Sequence, residues 1–282
     1  MCQKERILKT QRDAFFEELY KVARKDKRVV LLAADMGAPA LDRWREDMPD
    51  QIMNVGIAEA NMVAVAAGMA LDGKRPFCYG IIPFVTLRCY EAIKVNICMW
   101  NLPVTIVGVG AGLSYSEAGP THYATEDIAI MRVLPNMQVA SPSNAANAKY
   151  LAKVYDKPTY IRLDRQSPAN APSVVIVYKD RYERLWLNWL KPFVGLASRI
   201  SENTVAVITV EEHLLNGGLG SIVAEYLADH NIQIPLKRVG IDDRYFYKSG
   251  GRKEIWDGEA ELQSVLSEYG LSDRQAQGHS KQ

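Results

Sequence analysis

Residues 51–71 read Gln51-Ile-Met-Asn-Val-Gly-Ile-Ala-Glu-Ala-Asn-Met-Val-Ala-Val-Ala-Ala-Gly-Met-Ala-Leu71. A short strand from Gln51 to Val55 leads into a helix over 59–71 that opens on a carboxylate, Glu59. Its Ala, Gly and Met content suits close packing against a sheet or a partner chain. Upstream, residues 12–25 place Phe15, Leu19 and Val22 on one helical stripe, and Val29 to Ala34 is a buried strand ending at Asp35. Pro76 to Tyr79 and Val104 to Val109 are further strands with a helix near 86–99 between them. Met137 to Ala140 and Thr159 to Leu163 flank another helix over 143–154. Apolar strands alternating with helices predict an α/β fold with a doubly wound parallel sheet, because both faces of each strand must be covered. Ligands of such sheets bind beyond the carboxyl ends of the strands. Asp35, Glu59 and the segment from Gly110 to His122 all follow predicted strands.

The stretch Ser167-Pro-Ala-Asn-Ala-Pro172 marks a linker after a first domain spanning 1–166. Within 167–200, the run Tyr182-Glu-Arg-Leu-Trp-Leu-Asn-Trp-Leu190 offers Leu185, Trp186, Trp189 and Leu190 as an apolar helical face. A smaller α/β domain over 201–271 comprises a strand from Thr204 to Thr209, a turn at Gly217-Gly-Leu-Gly220, a helix to about 229 and a strand from Ile234 to Val239. The polar tail, 272–282, is expected to fray.

The 282 residues are 48% apolar and 24% charged, as in ordinary globular proteins, and the formal charge of +1 gives no electrostatic case for nucleic acid or an anionic membrane. Cys2, Cys78, Cys89 and Cys98 lack Cys-x-x-Cys spacing and read as reduced thiols, while the four histidines show no ligand spacing, so no metal site is expected within this chain. The start, Met1-Cys-Gln-Lys-Glu-Arg6, has no hydrophobic signal region, and no apolar run is of membrane length; a cytoplasmic location is the expectation.

Two segments carry a family resemblance. Asn54-Val-Gly-Ile-Ala-Glu-Ala-Asn-Met62 and Glu117-Ala-Gly-Pro-Thr-His-Tyr123, the latter followed by Glu126-Asp-Ile-Ala129 and Met131-Arg-Val-Leu-Pro-Asn136, resemble the pyrimidine-binding half of transketolases. Glu211-Glu-His-Leu-Leu-Asn-Gly-Gly-Leu-Gly220 is similar to their carboxy-terminal domain. No Gly-Asp-Gly run followed at a distance by Asn is present, the pattern that holds Mg²⁺ and a diphosphate. The resemblance therefore implies the carboxy-terminal subunit of a split enzyme. Thiamine diphosphate would lie at the interface with an amino-terminal, diphosphate-binding chain that supplies the Mg²⁺ ligands, in an α₂β₂ heterotetramer.

Residue by residue, the resemblance implies that Glu59 hydrogen-bonds N1′ of the aminopyrimidine and so promotes loss of the thiazolium C2 proton. Without it, a carboxylate at a helix start is explained by the helix dipole alone. Phe84 falls where the family stacks a ring on the pyrimidine, with Ile81, Leu87 and Asp35 at neighbouring cofactor positions. His122 falls where a histidine contacts donor hydroxyls, and Arg12 and Arg165 where arginines clamp a sugar phosphate through their planar forks.

Three departures stand out. Gly110 replaces a usual His, Ala118 replaces a usual Asp, and the interval between Arg165 and Thr204 is short for the family. The expected reaction is transfer of a two-carbon ketol unit from a ketose phosphate to an aldose phosphate or another acceptor. The first two departures favour, as alternatives, a specialised-metabolism transferase acting on a carrier-bound acceptor; the third favours a non-catalytic scaffold subunit.

Overall fold

The computed structural model describes residues 9–166, 170–193 and 195–272; the expectations for Cys2, 167–169 and the tail 273–282 fall outside them. Helix α1 (Gln11–Ala23) starts on an N-cap, Thr10, whose hydroxyl accepts the Asp13 N–H. Strand β1 (Val29–Ala33) and helix α2 (Pro39–Asp47) lead through a 3₁₀ turn to β2 (Ile52–Asn54), then α3 (Glu59–Leu71) and β3 (Arg75–Ile81). Two short helices follow, α4 (Ile82–Val85) and α5 (Tyr90–Ala92), then a π-helical turn at Ile93–Cys98. After β4 (Thr105–Val109) come α6 (Asp127–Arg132), β5 (Gln138–Ala140), α7 (Ala145–Leu151) and β6 (Thr159–Leu163).

Strands β1 to β6, joined by a later strand β9 (Trp189–Lys191), form a seven-stranded sheet. Its order is β2-β1-β3-β4-β6-β5-β9, parallel except at β9. The expected doubly wound α/β architecture is what forms. Alternate residues of β1 go to opposite cores: Val29, Leu31 and Ala33 pack with Phe15, Leu19, Trp44 and Leu151 on one face, and Val30 and Leu32 with Met62, Val63 and Ile128 on the other. The order reverses between β1 and β3, so the carboxyl ends of the strands open a crevice there.

Two helical expectations are corrected. The predicted helix over 86–99 is broken: α4 begins earlier, and α5 and the π-helical turn divide the rest. Pro83 fits the first turn of α4, where no N–H is needed, and starts that helix directly off β3. The run from Tyr182 to Leu190 is not a helix. It forms β8 (Tyr182–Trp186) and most of β9, after a strand β7 (Ser173–Tyr178) that occupies part of the expected linker segment. The β-branched and aromatic residues of Ser-Val-Val-Ile-Val-Tyr favour a strand, and once β7 is buried the neighbouring run gains more by pairing with it than by coiling. With β10 (Thr204–Leu214) and β11 (Leu236–Ile241), these strands complete a four-stranded sheet in the order β11-β10-β7-β8. Helices α8 (Leu219–Asp229), α9 (Arg252–Ile255) and α10 (Gly258–Glu268) belong to this second unit. Cys78, Cys89 and Cys98 are free and buried. Among the described residues no helix is long and apolar enough to cross a membrane.

Candidate active site

Glu59 is the first residue of α3 and only 4% exposed. Asn54 shapes the approach to it: its side-chain oxygen accepts the N–H groups of Asp35 (3.1 Å) and Gly56 (3.0 Å), and its amide reaches Asp35 Oδ1 (3.3 Å). Asp35 itself is exposed, in a left-handed conformation (φ 50°) at the end of β1. The Asn54 bonds tie the β1 end to the β2 end.

From Glu59 a continuous run of contacts crosses the crevice. Arg88 Nη1 donates to Glu59 Oε2 at 3.0 Å, and its guanidinium lies 4.7 Å over the Phe84 ring. Phe84 meets the His122 ring edge-on at 5.2 Å, His122 faces Tyr115 at 6.0 Å, and the Arg165 guanidinium lies 4.4 Å over Tyr115. Arg165 also pairs with Glu117 at 2.5 Å. Arg12, on the first turn of α1, bonds Asp13 Oδ1 at 2.8 Å and lies close enough to Tyr79 and Tyr115 for their hydroxyls to act on it. Glu59, Phe84, His122, Arg165 and Arg12 are thus gathered at one edge. Ile81 is half-buried at the end of β3, and Leu87 is 43% exposed beyond α4.

Two members of this run carry no sequence signal. Arg88 sits four residues after Phe84, a helical spacing that also fits a solvated charge. Tyr115 sits in Leu113-Ser-Tyr115, which matches no motif.

Beneath the half-buried Arg12, Tyr115 and Arg165 lies one buried polar network. Gln11, Ser114 and Asp164, which immediately precede Arg12, Tyr115 and Arg165, are 3%, 0% and 2% exposed. Asp164 N–H donates to Gln11 Oε1 (2.8 Å), and its carboxylate accepts the Ser114 hydroxyl (2.7 Å), the Gln166 N–H (2.9 Å) and Arg252 Nη1 (2.9 Å). Arg252 comes from the second sheet's side and binds Glu212 through Nε (2.9 Å) and Nη2 (2.6 Å); Glu212 in turn accepts the Leu113 N–H at 2.8 Å. A side chain at Gly112 would place its Cβ 2.2 Å from Glu212 Oε2, so the approach requires glycine there. The second sheet thereby holds the loop that presents Tyr115 and His122.

The neighbouring Glu211 and His213 are structural. Glu211 caps α8 by accepting the Leu219 (2.5 Å) and Gly220 (2.7 Å) N–H groups, and burial pushes its pKa up to about 7 against those donors. His213 Nδ1–H donates to the Leu214 carbonyl (2.7 Å), Nε2 accepts the Ala129 N–H, and burial pushes its pKa down to about 4. Between the ordinary value of 6.5 and about 4, unfolding takes up a proton at His213, so its contribution is lost as pH falls. Glu211 works oppositely: folding holds a proton between 4.5 and about 7, so its contribution is lost as pH rises. The two offset each other from about pH 4.5 to 6.5. Denaturation midpoints of the wild type are expected to be nearly flat across that window, and those of E211Q to fall with acidification; a steep wild-type limb with a flat variant would contradict this.

Residues 9–169 match the family described as "Transketolase, pyrimidine binding domain". The chain is 31% identical over 256 residues to a subunit of the apulose-4-phosphate transketolase of Actinobacillus succinogenes, covering 74% of this chain and 80% of the relative. It is 33% identical over 273 residues to the 6-deoxy-6-sulfo-D-fructose transketolase subunit SqwH of a Clostridium strain, covering 82% and 84%. Among solved structures, a split-gene transketolase described as an inactive β₄ tetramer superposes with a TM-score of 0.71 at 31% identity and 95% coverage of both chains. The transketolase of Campylobacter jejuni shares the fold with a TM-score of 0.69 at 16% identity, this chain spanning 47% of it. The chain belongs to the transketolase family, as a carboxy-terminal subunit of the split type.

Proposed function

We propose that this chain is one half of a thiamine diphosphate-dependent ketol transferase, active when joined to an amino-terminal, diphosphate-binding subunit. The observation that carries the reading is Glu59: a buried carboxylate at the head of α3, paired with a half-exposed arginine, with the Phe84 ring beside it. That constellation fits an aminopyrimidine, with Glu59 toward its ring nitrogen and Phe84 against its face. When bound, the cofactor supplies the nucleophilic carbon for ketose cleavage. Glu59 holds a proton at the pyrimidine nitrogen, and Ile81, Phe84 and Leu87 limit water around it. Arg88 moves off the Phe84 face to admit the ring; its half-exposed side chain leaves it free to do so. His122 orients donor hydroxyls, and Arg12 and Arg165 receive a terminal anion.

The Mg²⁺ ligands belong to the partner in this reading, and the assembly is α₂β₂. Apolar side chains left bare on and beside α3 support such association: Ile57, Leu71, Met99 and Trp100 are 77%, 68%, 69% and 69% exposed. The relatives' named substrates carry a phosphate or a sulfo group, which supports a donor ketose ending in an anion. The test is a two-carbon transfer assay with ketose phosphates, the aldehyde product being measured. Turnover by the mixture and none by either chain alone is expected; equal turnover by this chain alone would sink the split-subunit reading.

A further inference from the structure

The Tyr115 ring is the shared wall between the His122 end of the crevice and its two arginines. It stands 6.0 Å from His122 on one side and carries the Arg165 guanidinium 4.4 Å over its face on the other. Its seat is built for it. Gly110, at φ 101°, leaves open the space that the ring fills: a Cβ there would lie 2.3 Å from Tyr115 Cδ2. Ser114, just before it, is buried and tied to Asp164. A ring that served only to fill core would be covered, yet Tyr115 is half-buried among Arg12, Arg165 and exposed Glu117.

We propose that Tyr115 is a specificity-determining residue of this site: its hydroxyl joins Arg12 and Arg165 in receiving the terminal anion of the donor, and its ring face fixes the plane of the Arg165 fork. The inference rests on the ketol-transfer reading above. Burial raises the Tyr115 pKa, against the pull of Arg165 and Arg12, so at neutral pH the phenol keeps its proton and is a donor to an anion. Arg165 is meanwhile occupied by Glu117, whose side chain is 52% exposed. An exposed pair of this kind is weak, so a doubly charged phosphate displaces the carboxylate.

The test uses the complex assembled with the diphosphate-binding subunit, comparing wild type, Y115F and Y115V on a ketose phosphate and on the same ketose without its phosphate. A hydrogen bond to a charged group predicts that Y115F raises KM for the ketose phosphate about tenfold. In Y115F kcat, thiamine diphosphate saturation and KM for the uncharged ketose should stay within about twofold, and inhibition by inorganic phosphate should weaken in parallel with the KM change. Y115V, which also frees the Arg165 fork, should lose more. Wild-type KM in both variants, or equal losses on the two donors, would overturn the assignment while leaving the ketol-transfer reading intact. A wild-type complex that moves no ketol unit from any ketose would remove both.

Discussion

Replacing Glu59 by alanine is expected to lower ketol transfer by the assembled complex about 10³-fold, the middle of the range for a positioned acid–base group and equivalent to about 4 kcal/mol of barrier. The fold should tolerate the change. Glu59 is buried, but its partner Arg88 has a side chain 48% exposed, so the freed guanidinium turns to water and no uncompensated charge is left inside. Assembly with the partner and the thermal midpoint should therefore remain close to wild type while turnover falls. Stopped assays at saturating cofactor, with size-exclusion chromatography of the same samples, separate the two effects. Activity within tenfold of wild type would remove Glu59 from the chemistry and favour a scaffolding role for this chain.

The second large effect is expected at Glu212. It is buried, and it holds the Arg252 guanidinium and the Leu113 N–H together. Arg252 is only 11% exposed at its side chain and keeps Asp164 as its remaining carboxylate. Removing Glu212 thus leaves a buried cation half-compensated and a buried amide without its acceptor. Breaking a pair of this kind costs about 3–5 kcal/mol, a fall of about 10 °C in the thermal midpoint for a chain of this size. The contrast is Glu268, whose pair with Lys237 at 3.3 Å lies in solvent; E268A should change stability by less than about 1 kcal/mol. Similar midpoints for E212A and E268A would show that the two sheets are not held together through this network.

The core of the first sheet is legible in the sequence because β1, β3, β4 and β6 are buried on both faces and largely apolar, and because α1 carries a stripe through Phe15 and Leu19. Local pattern alone decides those elements. The motif residues are legible by resemblance rather than by physics: nothing in the period or composition around Glu59 or His122 distinguishes them from a dipole cap and a loop histidine. The run from Tyr182 to Leu190 misleads because Leu185, Trp186, Trp189 and Leu190 satisfy a helical spacing. What fixes it as strand is pairing with β7 on one side and β5 on the other, a tertiary fact. The same holds for Arg88, Tyr115 and the Asp164–Arg252–Glu212 network. Each acquires its place from segments far apart in the chain, and Gly110 and Gly112 make sense only once the groups that fill their space are known.

Gly110 is legible as a departure from the family but not as a consequence. The structure supplies the reason for its tolerance: the Tyr115 ring occupies that volume. No comparable filling is seen at Ala118, which is exposed at the end of a 3₁₀ turn.

A cofactor site completed by a second chain is tested by titrating thiamine diphosphate with Mg²⁺ into this chain, into a diphosphate-binding partner and into their mixture. Saturable binding in the mixture, absent from either chain alone and weakened by E59A, is the predicted result. Equally tight binding by this chain alone, or none in a mixture shown to be associated, would contradict it.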